Sequence, residues 1–440
     1  MKKKVHLFVV FVMMFSMIFA LSGCGNKRSV TDEMADIEET GGSIGENGNE
    51  RQESGESGVA ALEVPNERWK ETIASEGEHP VEVNISVKPE VPESGTLKIV
   101  ELTPVSFDAE GRKMLMNQLC DADNIRVLDD NNLPKWYLEE EIAEYEKDIS
   151  GSAGEGGSID PAVTEILQRD KAQLDSAPEE GAAPTDYEQE RYTGTIDGIT
   201  YMFSFHDNDH LSFSAPSKKD EIALLGKPEL TEDCHLERNF GLPEKNECSM
   251  SQEEAVLKAA GYLSNWGYSE FTLWNVKPLS FYAADTSTGG DMTWSEGYEM
   301  IFVRALDDVL VNGDPYGDSR VEAITLALTD KGIFSGSFRN LYQMNEVIAE
   351  EPRLLGFEEV KKSFASVLAK HAGADEASES ISLDKMELTY FPVADHEAGY
   401  TLLPAWKLYK KNVADEIESI FIINAIDGSY IFPAKDIDIP

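Results

Sequence analysis

The C-terminal part of the chain repeats one pattern of helix and strands, and this repeat constrains the fold more than any other feature. The stretch SQEEAVLKAAGYLSNWG (251–267) begins with Ser251 and Glu254 at the spacing of a capping box and continues with apolar residues at helical intervals. About 105 residues later, FEEVKKSFASVLAKHAG (357–373) repeats the acidic pair, an alanine and a leucine at the same offset. The two segments predict two equivalent amphipathic helices.

Three apolar segments follow each predicted helix in the same order. They are LSF (279–281), GYEMIFV (297–303) and ITLALTDKGI (324–333) after the first, and LTY (388–390), GYTLLPA (399–405) and IFIINAIDGSYI (420–431) after the second. Each unit is therefore predicted to be a helix whose apolar face lies on three antiparallel strands. Pro404 lacks the N–H that a sheet ladder needs, so it predicts a sheet edge or a bulge at that point.

A different mixture of signals precedes the repeat. The alternating segments VEVNISVKP (81–89) and LKIVELTPV (97–105) predict half-buried strands, and Asp108 predicts the start of a helix. Further on, TYMFSF and LSFSA flank HDNDH (206–210) and predict a hairpin with a polar tip. This part of the chain is expected to combine helices and strands.

The chain as a whole is therefore predicted to be an α+β protein. We expect a signal peptide at 1–23, a disordered acidic tether at 24–62 and an N-terminal α+β domain at 63–245. Two tandem helix-on-antiparallel-sheet modules follow, at 249–345 and 346–440.

The first residues carry a targeting signal. Three lysines (2–4) precede the apolar run Val5 to Ala20, which ends at the tetrapeptide LSGC (21–24). This tetrapeptide resembles the lipobox of bacterial lipoproteins, which implies that Cys24 becomes the acylated first residue of the mature chain. The alternative is an uncleaved anchor, but the run of about 16 residues is short of the roughly 20 that a span needs. We expect a protein held by lipid at the outer face of the cell membrane.

The segment after Cys24 has the composition of a tether. It is rich in Gly, Glu, Ser and Asn and is nearly free of aromatic and branched apolar residues. Such a stretch buries too little apolar surface to offset its loss of conformational entropy on folding.

The charge balance argues against nucleic acid as a partner. The chain has 38 Lys and Arg against 82 Asp and Glu, a formal charge of −44, and removal of the three leader lysines makes it 35 − 82 = −47. Binding to phosphates requires clustered basic residues, and no basic patch longer than a pair such as Lys361 and Lys362 is present. The balance fits a soluble, acidic surface at an anionic envelope, and cation binding is the alternative.

The end of the chain resembles a known group of modules. An aromatic strand, then PAW (404–406), then INAIDGSYI (423–431) is similar to PepSY-type modules and to the extracytoplasmic YycH/YycI regulators of Gram-positive bacteria. The resemblance covers residues 249–440 and implies a non-enzymatic role in binding or restraining another envelope protein. The positions that match its pattern are Trp406, Asn424, Asp427 and Gly428. A core tryptophan and a turn explain the same residues structurally.

Two polar segments have residue types that can bind metal. His206, Asp207, Asp209 and His210 bring imidazoles and carboxylates together, although a solvated turn has the same pattern. The segment 312–322 partly matches a calcium loop, but Tyr316 occupies a ligand position and the terminal Glu322 comes one residue early.

Three cysteines follow Cys24. In an extracytoplasmic setting Cys234 and Cys248 can close a short loop by a disulfide and leave Cys120 unpaired.

No catalytic motif is found in the sequence. It lacks the HExxH, nucleophile-elbow, Walker and dinucleotide patterns, so we expect no enzyme activity and no cofactor. Paired carboxylates of a wall-polymer hydrolase remain one alternative, because 82 acids make any pairing uninformative. Capture of a ligand or cation for a transporter is the other alternative.

Overall fold

A computed structural model of the chain describes most of the sequence after residue 63. The described residues are 64, 66–76, 80–92, 96–129, 132–154, 161–206, 208–227, 230, 234–238, 245–284, 291–311, 320–372, 380–394, 399–411 and 417–431. The predicted signal peptide, tether and Cys24 lie outside them and stay predictions.

Helices are a minor part of the described residues. They are α1 (Ala109–Leu119), α2 (Lys135–Gly154), α3 (Pro161–Leu174), α4 (Lys218–Leu225), α5 (Gln252–Asn265) and α6 (Phe357–His371). Of these, none has the length and apolarity to cross a bilayer.

Strands make up much more of the fold. They are β1 (Trp69–Ala74), β2 (Glu82–Val87), β3 (Pro89–Glu90), β4 (Lys98–Pro104), β5 (Arg126–Val127), β6 (Arg191–Ile196), β7 (Ile199–His206), β8 (His210–Ser214), β9 (His235–Arg238), β10 (Phe271–Ala284), β11 (Asp291–Leu306), β12 (Val309–Leu310), β13 (Ala323–Thr329), β14 (Gly332–Arg339), β15 (Tyr342–Glu350), β16 (Ser380–Leu383), β17 (Lys385–Ala394), β18 (Tyr400–Lys411), β19 (Ile417–Asn424) and β20 (Tyr430–Ile431). The predicted α+β class is confirmed.

The strands form three sheets. A ten-stranded sheet has the order β5-β6-β7-β8-β14-β13-β11-β10-β9, with β12 beside β11. A seven-stranded sheet has the order β15-β4-β18-β17-β3, with β19 beside β18 and β20 beside β19. A small sheet has the order β1-β2-β16. Most neighbouring strands are antiparallel, whereas β16 pairs with β2 and β17 with β3 in parallel.

Local sequence signals locate the elements of the first part well. The alternating segments form β2 and β4, and the hairpin predicted around 206–210 is β7–β8. Helix α1 begins where predicted, because the Asp108 side chain accepts hydrogen bonds from the N–H groups of Glu110 and Gly111.

The two repeated helices also begin as predicted. In α5, Ser251 and Glu254 form the predicted capping box. Before α6, Gly356 has no side chain to cap with, and its N–H donates to the Glu359 carboxylate. Val360, Phe364 and Val367 of α6 are all buried, as the periodicity indicates.

The sheets do not follow the predicted domain boundaries. The segment 63–245 supplies β1 and β2 to the small sheet, β4 to the seven-stranded sheet, and β6 to β8 to the ten-stranded sheet. In addition, β15 belongs to the predicted first module by sequence but pairs with β4 in the other sheet. The strands of the first 245 residues therefore complete the sheets of both modules.

The order of elements repeats, but the strand register does not. In both units a helix precedes three strands that pair in order, α5 before β10-β11-β13 and α6 before β17-β18-β19. The short strand β12 lies between β11 and β13 in the sequence, and β16 lies between α6 and β17. Phe281 pairs with Trp294, whereas its predicted equivalent Tyr390 pairs with Pro404, which the sequence aligns with Phe302. The residue-by-residue correspondence of the strands is therefore wrong, although the succession of elements is right.

The two helices are covered differently. Helix α5 packs against β10, β11 and β13, and its far side is open, with Leu257 73% exposed. Helix α6 lies between the seven-stranded sheet and the small sheet. Trp69 of β1 contacts the rings of Phe357 and Phe364, at centroid distances of 6.4 and 6.3 Å. Helix α6 is therefore covered on two sides, whereas helix α5 is covered on one.

Candidate functional site

A cleft of about 430 Å³ lies between three segments that are far apart in sequence. The 3₁₀ turn Ala122–Asn124 after α1 forms one wall, the turn between β6 and β7 forms the second, and the C-terminal end of α5 forms the third. Its lining residues are Leu119, Asp121, Asn124, Thr195, Ile196, Asp197, Gly198, Tyr262, Asn265 and Trp266. The volume falls in the range of about 300–1,000 Å³ typical of small-molecule sites.

One wall of the cleft is a small hydrogen-bonded network. The Asn124 amide donates to Asp121 Oδ2 at 3.2 Å and to Thr195 Oγ1 at 3.1 Å. The Asp121 N–H donates to the Thr195 carbonyl at 3.3 Å. These bonds tie the 3₁₀ turn to β6 and fix the orientation of the Asp121 carboxylate.

The opposite side is built on a tight turn. Asp197 and Gly198 connect β6 and β7 with φ of +53° and +79°, the left-handed conformation of a two-residue hairpin. Asp197 Oδ2 accepts a hydrogen bond of 2.7 Å from the Tyr262 hydroxyl. Burial, together with this carboxylate, raises the pKa of Tyr262 above its usual range. The phenol therefore stays a hydrogen-bond donor throughout the physiological range.

An aromatic pair fixes the third wall. The Tyr262 ring stacks on Trp266 with centroids 5.4 Å apart. Trp266 is buried and reaches Phe213 and Phe338 of the main core. The helix end that lines the cleft is thus anchored in the hydrophobic core.

The polar lining of the cleft is acidic or neutral. It contains two carboxylates, two carboxamides, a threonine hydroxyl and the Tyr262 hydroxyl, and the described lining has no Lys, Arg or His. Asp197 Oδ1 and the Asn265 side-chain amide make no hydrogen bond with any described residue. The site therefore offers hydrogen-bond acceptors and has no positive charge with which to bind an anion.

This cleft was not predicted from the sequence. The Asp-Gly pair at 197–198 between two apolar strands is the signal that predicts the hairpin turn. No sequence pattern indicates that the turn meets Asn124 and Asn265.

A second polar cluster contains a thiol. Across the described ranges, only Cys248, Glu296 and Asp330 satisfy the geometry of a metal site, with one donor atom from each within 4.8 Å of the others. Cys248 Sγ donates to Asp330 Oδ1 at 3.1 Å. Burial and this hydrogen bond raise the pKa of Cys248 to about 12. In this arrangement the thiol is therefore a hydrogen-bond donor to Asp330.

A lysine already supplies positive charge to this cluster. Lys227 Nζ lies 3.7 Å from Glu296 Oε2 and also forms an ion pair with Glu247. Asp330 in turn accepts hydrogen bonds from the N–H groups of Ser249 and Met250 at 2.8 and 3.2 Å. These contacts join the β13–β14 turn to the residues preceding α5, and this structural role explains the cluster.

We expect the hydrogen bonds accepted by the Asp330 carboxylate to weaken in acid. Burial opposes ionisation of Asp330, but the hydrogen bonds from Ser249, Cys248 and Met250 outweigh it and lower its pKa. A carboxyl group with a lowered pKa stabilises the folded state above its unfolded pKa of about 3.9, and this contribution is lost as pH falls through the folded value. Because Asp330 is exposed and water screens its charge, Asp330→Asn is expected to cost less than about 1 kcal/mol at pH 7 and progressively less below about pH 4.

Urea unfolding of both proteins between pH 7 and pH 3 measures this difference. Glu346→Gln changes an exposed acid on β15 and serves as the control. A pH-independent difference for Asp330→Asn would contradict the assignment.

The predicted histidine cluster is at a hairpin tip. His206 and His210 are cross-strand neighbours with ring centroids 5.0 Å apart, and His206 Nε2 is 2.9 Å from Ser212 Oγ. The Asp209 carbonyl accepts from the Asn340 N–H. Asp207 lies outside the described residues, so a metal site that includes it stays a prediction.

The predicted disulfide is not formed in this structure. Cys120, Cys234 and Cys248 each carry a thiol, and Cys234 is buried. As described above, Cys248 is engaged with Asp330.

Two other predicted positions have structural partners. Glu322, the last residue of the calcium-like segment, forms an ion pair with Arg304 through both carboxylate oxygens, at 2.6 Å each, so it is not available as a calcium ligand. Residues 312–319 of that segment lie outside the described residues. Trp406 is completely buried beside Phe357 of α6.

The remaining positions of the family-like pattern form a turn. Asn424 Oδ1 accepts from the Ile426 N–H and Asp427 Oδ1 from the Ser429 N–H, both at 2.9 Å. Gly428 has φ of +76°, and a Cβ there would lie 2.3 Å from Ser363 Oγ. These contacts agree with the structural explanation of the pattern.

The chain thus has an α+β fold with a polar cleft, and comparison with known proteins finds distant similarity only. No model of a known protein family matches it. No curated protein matches it in sequence.

Comparison with solved structures finds distant structural similarity to proteins that include the following three. An uncharacterized protein from Eubacterium rectale ATCC 33656 is 12% identical, with 86% of this chain and 96% of that chain covered and a TM-score of 0.41. The C-terminal domain of YpeB from Bacillus megaterium is 10% identical, with coverages of 55% and 79% and a TM-score of 0.25. YycH from Bacillus subtilis is 16% identical, with coverages of 56% and 59% and a TM-score of 0.22. The structural similarity to all three is distant.

Proposed function

We propose that the chain is a membrane-anchored extracytoplasmic lipoprotein that binds another protein of the cell envelope and catalyses no reaction. The LSGC tetrapeptide after an apolar leader supports lipid anchoring through Cys24. The observation that carries the binding role is the exposed edge strand β15.

Strand β15 has the features of a docking edge. Among the described strands it pairs only with β4, so its other edge has no partner strand in the described part of the chain. Val347 and Ile348 are adjacent on it and are 43% and 57% exposed, two of the four large apolar side chains exposed in the described residues. An open strand that carries exposed apolar residues is a template for an added strand.

The charge of the strand indicates the kind of segment it binds. Residues 342–351 include Glu346, Glu350 and Glu351 and no Lys or Arg. An extended segment of a partner protein with apolar residues and at least one Lys or Arg complements this edge. Strand addition supplies affinity through backbone hydrogen bonds, and the side chains supply specificity.

Site-specific photo-crosslinking in intact cells tests this proposal. The photo-crosslinker p-benzoylphenylalanine is placed at Ile348 or, as the matched control, at Leu257, which is 73% exposed on α5. We expect one envelope protein to be captured from position 348 and not from position 257. Val347→Lys places a positive charge on the apolar edge and is expected to reduce that capture several-fold.

The lipid anchoring proposed for Cys24 is tested in the same cells. Cys24→Ala removes the predicted acylation site, and we expect the chain to leave the membrane fraction and the crosslink at 348 to decrease. The same set of proteins captured from both positions, or no capture from position 348, would contradict binding at β15.

A further inference from the structure

We infer that the cleft between the 3₁₀ turn, the β6–β7 turn and the end of α5 is a binding site for a sugar ring, uncharged or carrying an amino group. This role is separate from protein binding at β15. It follows from the distribution of apolar and polar groups in the cleft.

The floor of the cleft is apolar and its rim is polar. Leu119, Ile196 and Trp266 line it and are buried. Asp121, Asn124, Asp197 and Asn265 surround this floor and are exposed. A sugar ring has the matching character, with C–H groups on its faces and hydroxyl groups around its circumference. Carboxylates and carboxamides are suitable acceptors for these hydroxyls.

The polar groups are held in place before a ligand binds. Asn124 fixes Asp121, and the Tyr262 hydroxyl fixes Asp197 from the opposite side. Because these side chains are already ordered by their partners, binding loses little additional side-chain entropy. Asp197 Oδ1 and the Asn265 amide make no bonds with described residues and are available to a ligand.

The charge of the site selects among sugars. The two carboxylates repel a uronic acid or a phosphorylated sugar, and the described lining has no cation to offset them. An ammonium group on the ring gains from the same carboxylates through charge-assisted hydrogen bonds. We therefore expect amino sugars to bind more tightly than the corresponding neutral sugars, and acidic sugars not to bind.

Isothermal titration of the full chain with three probes tests the inference. The probes are glucosamine, N,N′-diacetylchitobiose and glucuronic acid. Saturable binding of the first two without binding of the third is expected. Absence of saturable binding by both glucosamine and diacetylchitobiose at millimolar concentration would overturn the inference, as would equal binding of glucuronic acid.

A matched pair of substitutions assigns the binding to this cleft. Asp197→Asn removes one charge and keeps a residue that tolerates φ of +53°. Asp308→Asn makes the same change in another exposed left-handed turn, with φ of +65°, away from the cleft. We expect Asp197→Asn to weaken glucosamine binding about tenfold and Asp308→Asn to leave it unchanged.

A further variant keeps the test decisive if the Asp197→Asn protein does not fold. If thermal unfolding shows that Asp197→Asn is not folded, Asn265→Ala on the opposite wall replaces it, again with an expected loss of about tenfold. Equal binding by a folded cleft variant and the Asp308→Asn control would overturn the assignment.

Discussion

Replacement of Arg304 by methionine is expected to lower the free energy of unfolding by about 3–5 kcal/mol, since it leaves a buried carboxylate without its counter-charge. Arg304 on β11 donates to Glu322 through Nε and Nη2, both at 2.6 Å, and to Glu270 through Nη1 at 2.7 Å. Its guanidinium also lies 4.9 Å from the ring centroid of Phe271. Glu322 is 2% exposed, so water does not replace the lost arginine.

The position of this ion pair explains the size of the effect. Arg304 also donates to the Tyr342 carbonyl at 3.0 Å, and the Tyr342 N–H donates to Glu322 at 2.8 Å. Tyr342 is the first residue of β15, which belongs to the seven-stranded sheet, whereas β11 belongs to the ten-stranded sheet. The pair therefore fastens the two large sheets to each other.

Urea unfolding of a small set of variants measures this effect. Arg339→Met makes the same change at an exposed position on β14 and is expected to cost no more than about 0.5 kcal/mol. The double variant Arg304→Met with Glu322→Gln removes both charges and is expected to recover part of the loss. A cost below about 1 kcal/mol for Arg304→Met would show that the pair does not fasten the sheets.

Replacement of Trp406 by alanine is the second large effect, with an expected loss of about 3–5 kcal/mol. Trp406 is 0% exposed and contacts the Phe357 ring at a centroid distance of 6.2 Å, in the core between α6 and the seven-stranded sheet. Truncation leaves a cavity that the surrounding structure closes only in part.

Phenylalanine at the same position separates ring packing from the indole N–H. Trp406 Nε1 is buried and has no hydrogen-bond partner among the described residues, so its removal relieves a desolvation cost. We expect Trp406→Phe to cost less than half as much as Trp406→Ala in thermal or urea unfolding. Equal costs would indicate that the indole itself is required, which a core role does not explain.

Local signals predicted individual elements well. The capping residues Asp108 and Ser251 start α1 and α5 as expected, and the period of 3.6 residues identifies the buried face of α6. In α5 the same reasoning is only half right, because Ala259 is buried but Ala260 is exposed. Because α5 is covered on one side only, fewer of its residues are buried than its alanine-rich sequence indicates.

Strand partners could not be predicted from the same signals. Alternation in β4 shows that one face is buried, but not that its neighbours are β15 and β18. Pro404 illustrates the difficulty. It predicts an edge or a bulge, and it lies instead in a central strand, where the neighbour of β18 changes from β4 at residues 400–402 to β19 at residues 405–411. Pro404 lies between these two stretches, where that edge of β18 has no paired residue among the described strands. The backbone N–H that proline lacks is therefore not needed there.

The candidate cleft was hidden from sequence analysis for a related reason. Its walls come from residues 119–124, 195–198 and 262–266. The sequence of each segment is explained by its own helix end or turn and does not indicate a shared site. Their meeting depends on how the N-terminal strands β6 to β8 join the ten-stranded sheet. That pairing is a tertiary preference, which single-sequence patterns do not contain.

The pairing of β4 has a consequence for how the chain reaches its native state. Asn345 of β15 and Thr103 of β4, which share a hydrogen bond, are 242 residues apart in sequence. At synthesis rates of about 5–20 residues per second, β4 is made roughly ten to fifty seconds before β15 exists to cover it. Contacts of such high sequence separation slow folding and leave strand edges exposed meanwhile. The edge of β4 that β15 covers therefore stays unpaired until the chain has been made as far as residue 350.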